Sequence, residues 1–178
     1  ILPAFDGRSL STILADCGPS PFSSLEADHP LPTLRSEGAA REALSRVQTA
    51  ADNTPILLAI SGGSSAAWCL PAAGLTLDDK IRATRLLMGA GADIRELNCV
   101  RRHLSSIKGG HLAHSAAARP LLTLLLEDVV DGQACDIGSG PSTADPSTFA
   151  DALAIIERHE LRRHTPPAVL DHLAQVGH

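Results

Sequence analysis

Two segments of the chain combine residue types that bind anions in proteins. The first is Ser61-Gly62-Gly63-Ser64-Ser65, which directly follows an apolar run at residues 56–60. The second covers residues 98–110 and carries basic side chains and a pair of glycines. Backbone N–H groups at a strand-to-helix turn and long cationic side chains are the groups that hold a phosphoryl group or a carboxylate against water. Their pairing favours chemistry on a small anionic molecule.

The glycine-serine turn alone is a weak signal. Gly62 and Gly63 let the main chain approach a ligand closely, and the flanking serines add hydroxyl groups. The turn matches neither the G-x-x-x-x-G-K-[ST] loop of nucleoside triphosphatases nor the G-x-G-x-x-G fingerprint of dinucleotide sites. Taken by itself, it fits a plain tight turn after a strand better than an anion site.

The basic segment has two interpretations. A helix over residues 94–106 would place Arg101 beside its apolar face and Arg102 toward solvent, because residues three and four apart share a face. Lys108 precedes two glycines that begin a new element, so its ammonium would lie beside free N–H groups. The alternative is a solvated basic helix end that complements the dipole of its own helix. The segment supports both interpretations equally.

Asp128 is the best carboxylate candidate for a metal ligand or a general base. It follows the second apolar run, where a strand of a parallel sheet would open onto a ligand crevice. Its alternative role is to cap the following turn. Asp78-Asp79 fit the first turn of a helix without any chemistry. His111 and His114 have only small or apolar neighbours and are expected to lie at the surface.

Charge and cysteine usage exclude several classes of protein. The 178-residue chain has a net charge of -5 and 2% aromatic residues, a poor profile for binding nucleic acid. No apolar run reaches the length of a membrane span and the N-terminus does not resemble a leader, so no membrane partner is expected. The cysteines form no C-x-x-C pair, which predicts reduced, mostly buried thiols in a cytoplasmic protein. They are Cys17, Cys69, Cys99 and Cys135.

Helical and apolar patterns alternate along the chain, which predicts an α/β fold. We expect a layered α/β/α domain with a mostly parallel, Rossmann-like sheet whose two strands are covered on both faces. Residues 1–35 form an irregular, proline-rich lead-in, and residues 36–178 form the α/β domain. Ser36 is the expected N-cap of the first helix, and Thr76 begins a capping box. The predicted helices cover residues 36–51, 76–88, 94–106, 147 onward and 166–175, and the predicted strands cover residues 56–60 and 121–126.

Five stretches then match known motifs in a fixed order. The most specific is N-C-V-R-R-H-L-S-S-I-K-G-G-H-L-A at residues 98–113, which is similar to N-x-V-R-K-H-L-S-x-I-K-G-G-R-L-A. Residues 61–66 resemble S-G-G-G-S-A, residues 26–32 resemble E-A-G-H-P-V-P, residues 126–142 resemble S-D-V-x-G-D with I-A-S-G-P-T, and residues 145–149 resemble D-P-T-T-F. These motifs belong to the two-domain glycerate 2-kinases, whose C-terminal domain is named for an M-O-F-R-L motif. The resemblance covers residues 26–173.

The resemblance implies transfer of a phosphoryl group from ATP, with Mg2+, to D-glycerate or a related hydroxy acid; D-glycerate would give 2-phosphoglycerate. It implies that Asp128, Lys108 and Arg101 are catalytic and that Asp128 binds the metal. Phosphoryl transfer depends on positioning and on neutralising negative charge, which suits these groups. The residues implied to bind substrate or phosphate are Ser61, Gly62, Gly63, Ser64, Ser65, Asn98, His103, Gly109, Ser139 and Gly140.

Departures from the family pattern leave a second interpretation. Ser64 stands where the family has a glycine, whose backbone angles a serine reaches only at a cost. Glu127 replaces a serine, and Asp131-Gly132 reverses the family's order. The lysine-bearing G-K-A strand of the family and its C-terminal domain have no counterpart, so we expect an incomplete N-terminal domain. The alternative is a degenerate, non-catalytic homologue that acts as a binding or structural subunit.

The absence of a docking domain also has a consequence for association. Apolar surface that the C-terminal domain covers in the family would be exposed here, and exposed apolar patches drive binding to other proteins. We therefore expect the chain to form a homo-oligomer or to bind the missing C-terminal domain.

The purified 178-residue chain is expected to show no ATP-dependent conversion of glycerate, because the family's site lies between two domains. A coupled assay for ADP release, run with and without D-glycerate, measures this. Turnover well above background would contradict the expectation.

Overall fold

The computed structural model of the chain describes residues 25–126 and 133–175. Two short strands and seven α-helices are defined in these ranges, together with one 3-10 turn. In chain order they are α1 (Leu34–Thr49), β1 (Ile56–Ile60), α2 (Ser64–Ala67), α3 (Leu77–Gly89), α4 (Ile94–His103), α5 (His111–Ser115), β2 (Leu121–Leu125), the 3-10 turn (Ile137–Ser139), α6 (Phe149–Arg158) and α7 (Pro167–Gln175).

Capping boxes fix where the longer helices begin. At α3 the Thr76 hydroxyl accepts from the Asp79 N–H, and the Asp79 carboxylate accepts from the Thr76 N–H. This confirms the capping box expected at Thr76 and the structural role of Asp79. At α1 the N-cap is Thr33, and Ser36 is the third helical residue of its box. The expectation that Ser36 is the N-cap was therefore wrong by one helical turn, because Thr33 and Ser36 satisfy the N–H groups reciprocally.

Helix α4 is shorter than its sequence pattern indicates. It ends at His103, and Leu104 is its C-cap. The next residues turn away because they bind the segment that precedes α3: Ser106 N–H donates to Leu70 O at 3.1 Å, and Ser105 Oγ donates to Leu70 O at 3.0 Å. These contacts are with a distant part of the chain, so the local period could not reveal them.

The two strands form a parallel pair, in register from Ile56 opposite Leu121 to Ile60 opposite Leu125. This confirms the α/β class with parallel strands. The expectation that both faces are covered is wrong for the described residues, because Leu57 is 64% exposed and Leu122 is 62% exposed. The other face packs on a helical layer. A second helical layer and a Rossmann-like topology remain predictions.

Two apolar clusters form the core. One lies under the sheet and contains residues of α1, α5 and the segment after α2; its buried members are Ala40, Val47, Trp68, Leu70, Ile107, Leu112 and Ala116. The other lies among α3, α4, α6 and α7; its buried members include Ala83, Leu87, Leu97, Val100, Leu104, Ala152, Ile156, Val169 and Leu173. The chain between α4 and α5 crosses from one cluster to the other, which holds the basic segment between them.

Three of the smaller expectations can be checked. Cys69, Cys99 and Cys135 are free and buried, as expected, whereas Cys17 lies outside the described residues. His111 and His114 are exposed, as expected. Among the helices of residues 25–126 and 133–175, none has the combined length and apolarity needed to cross a bilayer.

Leu87→Ala is expected to lower the free energy of unfolding by about 2–5 kcal/mol, because Leu87 is 1% exposed at the contact between α3 and the larger cluster. Met88→Ala is the matched control: Met88 is the next residue of the same helix but is 55% exposed, so its loss should stay within about 0.5 kcal/mol. Urea denaturation of both variants measures the difference. Equal losses would contradict the packing of α3.

Candidate active site

Lys108 is the centre of the site. Its side chain is buried, and its Nζ donates to Gly138 O at 2.9 Å and to Ser65 Oγ at 3.3 Å. The ammonium therefore joins the glycine-serine turn after β1 to the turn at residues 137–140. Sequence analysis placed both segments in one site, and the structure brings them together.

A directed chain of hydrogen bonds continues behind Lys108. Asn98 Nδ2 donates to Asp136 Oδ1 at 3.1 Å, which fixes the amide because a carboxylate only accepts. Asn98 Oδ1 then accepts from Ser139 Oγ at 3.1 Å. The Ser139 proton is thereby used, so Ser65 must be the donor in the 3.0 Å contact between the two serine hydroxyls. The donors run in one direction from Lys108 to Asp136, and this orders the Ser65 hydroxyl.

The backbone at residues 138–140 supports this arrangement. Gly138, Ser139 and Gly140 all have φ near +60°, a conformation that a serine adopts rarely and at a cost. Ser139 is fully buried, and the conformation directs its hydroxyl between Ser65 and Asn98. Gly109 N–H donates to Ser139 O at 3.1 Å, so this N–H holds the turn in place and is not left free beside Lys108.

Lys80 is a second buried lysine, and the sequence analysis missed it. Its Nζ donates to Arg101 O at 3.0 Å and to Leu104 O at 2.9 Å, the carbonyls at the end of α4. It shares one face of α3 with Ala83 and Leu87, which are core residues. A lysine on an apolar helical stripe was the available signal, since lysine is rarely buried without a partner.

Burial changes the protonation of both lysines. It lowers the pKa of Lys108 to about 7, with a further contribution from the positive charge of Lys80. It also lowers the pKa of Lys80 to about 8, with a smaller contribution from Arg101. An ammonium that loses its hydration shell without gaining a carboxylate becomes a stronger acid. Both groups therefore titrate near neutral pH.

The two lysines line one cleft of about 400 Å³. Arg85 and Arg101 also line it, as do Gly63 and Ser65 from the glycine-serine turn. No carboxylate is among the described residues that line this cleft. It therefore presents four cationic side chains and no counter-charge, an arrangement that attracts an anion.

Residues of the glycine-serine turn line two different clefts. Gly63 has φ +76° and lies beside the imidazole of His29, where a Cβ would come within 3.3 Å of His29 Cδ2. Ser61 and Ser64 instead line a separate cleft of about 300 Å³ between α1 and β1. His29, like Arg85, lines the cationic cleft and was not singled out from the sequence.

Ser64 does not carry the backbone strain expected from its replacement of a glycine. It is the first residue of α2 and is not among the residues with positive φ; Gly63 has that conformation. Ser64 Oγ is buried and has no hydrogen-bond partner within the described ranges. The expected strain at Ser64 was therefore wrong, and this substitution leaves the geometry of the turn intact.

Arg102 was expected to face solvent, but it is buried. It is 4% exposed, and its Nε lies 2.9 Å from Asp145 Oδ1, while its other guanidinium nitrogens approach Ser147 and Asp136. The reason is that α6 and the segment before it pack on this face of α4. A buried ion pair of this kind holds segments together, and removal of one partner strands the other charge.

The remaining expected site residues lie behind the cleft or outside the described ranges. Asn98 and His103 are buried, and His103 packs edge-on against Phe149 with its Nδ1 2.9 Å from Cys99 O. Asp128, expected to be catalytic and to bind metal, lies outside the described residues, as do Glu127 and Asp131-Gly132. Among residues 25–126 and 133–175 there is no cluster of three His, Cys, Asp or Glu that could hold a metal ion.

The free energy of unfolding is expected to rise between pH 7 and 8.5. Because the pKa of Lys108 is lowered on folding, the unfolded chain binds more protons in this window, which gives a slope of at most about 1.4 kcal/mol per pH unit per group. Lys108→Met should remove most of this rise, and Arg41→Met, a change at an exposed arginine, should not. Urea denaturation across the window measures it, and an unchanged slope in Lys108→Met would contradict the buried ammonium.

The chain is similar to known proteins along most of its length. Residues 9–174 match a family model described as a domain of unknown function, DUF4147. The chain is 44% identical over 135 residues to an Agrobacterium vitis protein provisionally named a hydroxypyruvate reductase, covering 76% of this chain and 31% of that protein. It is 40% identical over 149 residues to glycerate 2-kinase from Pyrococcus horikoshii, covering 84% of this chain and 34% of that enzyme.

A solved structure is also similar to this chain. A glycerate kinase from Thermotoga maritima superimposes with a TM-score of 0.79 at 33% identity, covering 88% of this chain and 38% of that one. The chain thus spans about a third of the length of the relatives that it matches. The similarity to glycerate 2-kinases expected from the motifs is confirmed, and the chain belongs to the DUF4147 family.

Proposed function

We propose that this chain forms part of an enzyme that transfers the terminal phosphoryl group of ATP to D-glycerate, giving 2-phosphoglycerate. One observation carries the proposal: two buried lysines and two arginines line a single cleft in which the described residues place no carboxylate. The names of the Pyrococcus and Thermotoga relatives supply the reaction. A related hydroxy acid is the alternative acceptor, because the cations of the cleft recognise the charge of a carboxylate and not the rest of the molecule.

The proposed roles follow from the charge that the reaction develops. In phosphoryl transfer the acceptor hydroxyl oxygen bonds to the terminal phosphorus, the bond to the bridging oxygen breaks, and ADP leaves with the negative charge. Lys108 and Arg101 would neutralise that charge at the cleft. The Ser65 hydroxyl accepts from Lys108 and donates to Ser139, so its role would be to orient the ammonium. The hydroxyl proton must pass to a base, for which Asp128 is the candidate.

Mg2+ remains a prediction of the family resemblance. Within the described ranges the carboxylates nearest the site are already engaged: Asp136 accepts from Asn98, and Asp145 pairs with Arg102. They do not fit a dedicated metal site. Mg2+ in kinases is commonly held by one or two carboxylates together with the substrate phosphates, and Asp128 is the residue proposed to contribute one.

Two other functions are less well supported. A reductase acting on hydroxypyruvate would need a nicotinamide dinucleotide, and the turn after β1 does not carry the G-x-G-x-x-G pattern. A degenerate binding or structural subunit was suggested by Ser64, Glu127 and Asp131-Gly132. Ser64 lies in α2 with helical geometry and leaves the turn intact, and the other positions lie outside the described residues. The cationic cleft would also serve no purpose in a purely structural subunit, since burying two unpaired ammonium groups opposes folding.

The proposal is tested by calorimetric titration of the 178-residue chain with ATP, D-glycerate and NADPH at pH 7. Binding of ATP and D-glycerate without binding of NADPH supports a kinase. Binding of NADPH with consumption of hydroxypyruvate would replace it by a reductase. Binding of none of the three by the folded chain would contradict the cationic cleft as an anion site.

Lys108→Met is expected to weaken binding of the anionic ligand at least about tenfold at pH 7, because a charge-assisted contact is removed from a buried site. Arg41→Met is the matched control, since Arg41 pairs with Glu37 on the exposed face of α1, away from the cleft. Affinity for the unaltered chain should also fall as pH rises above 7, because Lys108 loses its proton. Equal affinity for both variants would contradict the role of Lys108.

A further inference from the structure

The proposed reaction assigns no role to Lys80, the second lysine buried at the cationic cleft. Lys80 lies on α3 and is 3% exposed. Its Nζ donates to Arg101 O at 3.0 Å and to Leu104 O at 2.9 Å. The last carbonyls of an α-helix have no partner within the helix, and a cation beside them also interacts favourably with the helix dipole. Lys80 therefore joins α3 to the end of α4.

The carbonyls that Lys80 holds belong to the part of the chain that carries the two cations of the proposed reaction. Arg101 lines the cleft with its side chain, while its carbonyl accepts from Lys80. Leu104 is the C-cap of α4 and precedes Lys108 by four residues. The Leu104 carbonyl also accepts from Ala72 N–H at 3.1 Å. Loss of the Lys80 ammonium would loosen α4 at the point where the segment that leads to Lys108 begins.

Lys80 also acts on Lys108 through its charge. The other titratable groups that line the cleft are Arg101, Arg85, Cys69 and His29. Burial is the largest cause that lowers the pKa of Lys108 to about 7, and the positive charge of Lys80 is the next largest. Arg101 acts in the same direction, whereas Cys69 opposes it. A like charge disfavours the charged form of its neighbour, so loss of the Lys80 charge should raise the pKa of Lys108.

We propose that Lys80 is a positioning residue of the anion site, which acts through Arg101 and Lys108 and not by contact with the ligand. The inference rests on the proposed function, since it concerns the groups that would neutralise the developing charge. An ammonium has three N–H groups, and Lys80 directs two of them at the end of α4. The side chain thus holds the backbone of one cation and repels the proton of the other.

Nuclear magnetic resonance tests the action on Lys108 without any ligand. The chain contains two lysines, so 13C labelling of lysine gives two signals, and Lys80→Met leaves only that of Lys108. In Lys80→Met this signal should titrate at least about 0.5 pH unit higher, because a neighbouring like charge is gone. Lys80→Arg keeps the charge and should leave the titration within about 0.2 pH unit. Arg82→Met is the matched control, since Arg82 is exposed on the same helix and does not line the cleft.

A double-mutant cycle tests the action on Arg101. Calorimetric titration of the full chain with ATP at pH 7 should show about tenfold weaker binding in Lys80→Met than in the unaltered chain. In an Arg101→Met background the same change should weaken binding less than about threefold, because the effects of coupled residues are not additive. From pH 7 to 8.5 the affinity of Lys80→Met should fall less than that of the unaltered chain, since Lys108 keeps its proton to a higher pH.

Each other outcome overturns a defined part of the inference. An unchanged Lys108 titration in Lys80→Met would refute the action on Lys108, and equal losses of ATP affinity in both backgrounds would show that Lys80 contacts the ligand itself. If Lys80→Met does not fold, Lys80→Gln takes its place, because the amide keeps a donor for the α4 carbonyls without a charge, and the same rise is expected. If ATP does not bind the folded, unaltered chain, the anion site of the proposed function fails, while the titration of Lys108 still decides for or against the role of Lys80.

Discussion

The buried ammonium of Lys108 is the interaction on which the rest of the site depends. It joins the turn after β1 to the turn at residues 137–140 through Ser65 and the Gly138 carbonyl. Behind it, Ser139 and Asn98 pass the same directed chain of hydrogen bonds to α4. The N–H groups of a buried cation require hydrogen-bond acceptors. These three segments are therefore fixed in the positions that supply the acceptors of Lys108 or support them. The cleft is the space that remains in front of them.

Burial of the two lysines fixes the shape of the site, but it lowers the free energy of unfolding. Both ammonium groups are bonded to carbonyl or hydroxyl oxygens and not to carboxylates, so no counter-charge offsets the loss of hydration, and burial lowers the pKa of each toward neutrality. Lys80 and Lys108 are the only lysines of the chain, and the other cationic side chains are arginines. Perturbed titratable groups in a cleft are typical of functional sites, because an anion that enters restores the missing counter-charge. Under the proposed function, binding of an anion in the cleft would raise the pKa of Lys108.

Neighbouring arginines show how helical geometry separates two roles. Arg101 and Arg102 are adjacent in α4, and successive residues of a helix point about 100° apart. Arg101 consequently lines the cleft, whereas Arg102 turns to the opposite contact and pairs with Asp145. One cation is available to a ligand, and the other fixes the segment that contains the turn at residues 137–140. The site therefore depends on α6 and its preceding loop, which do not line the cleft themselves.

The sequence by itself determined the features that depend on residues close together along the chain. The apolar run of β1, the capping box at Thr76 and the ordered motifs predicted the strands, the start of α3 and the family, because these signals lie within one turn or one strand. Tertiary structure alone decided the rest. Lys80 is buried at the site, Arg102 is buried and not exposed, and one face of the sheet is uncovered among the described residues. Whether a side chain is buried depends on which distant segment packs over it, and that information is absent from local periodicity.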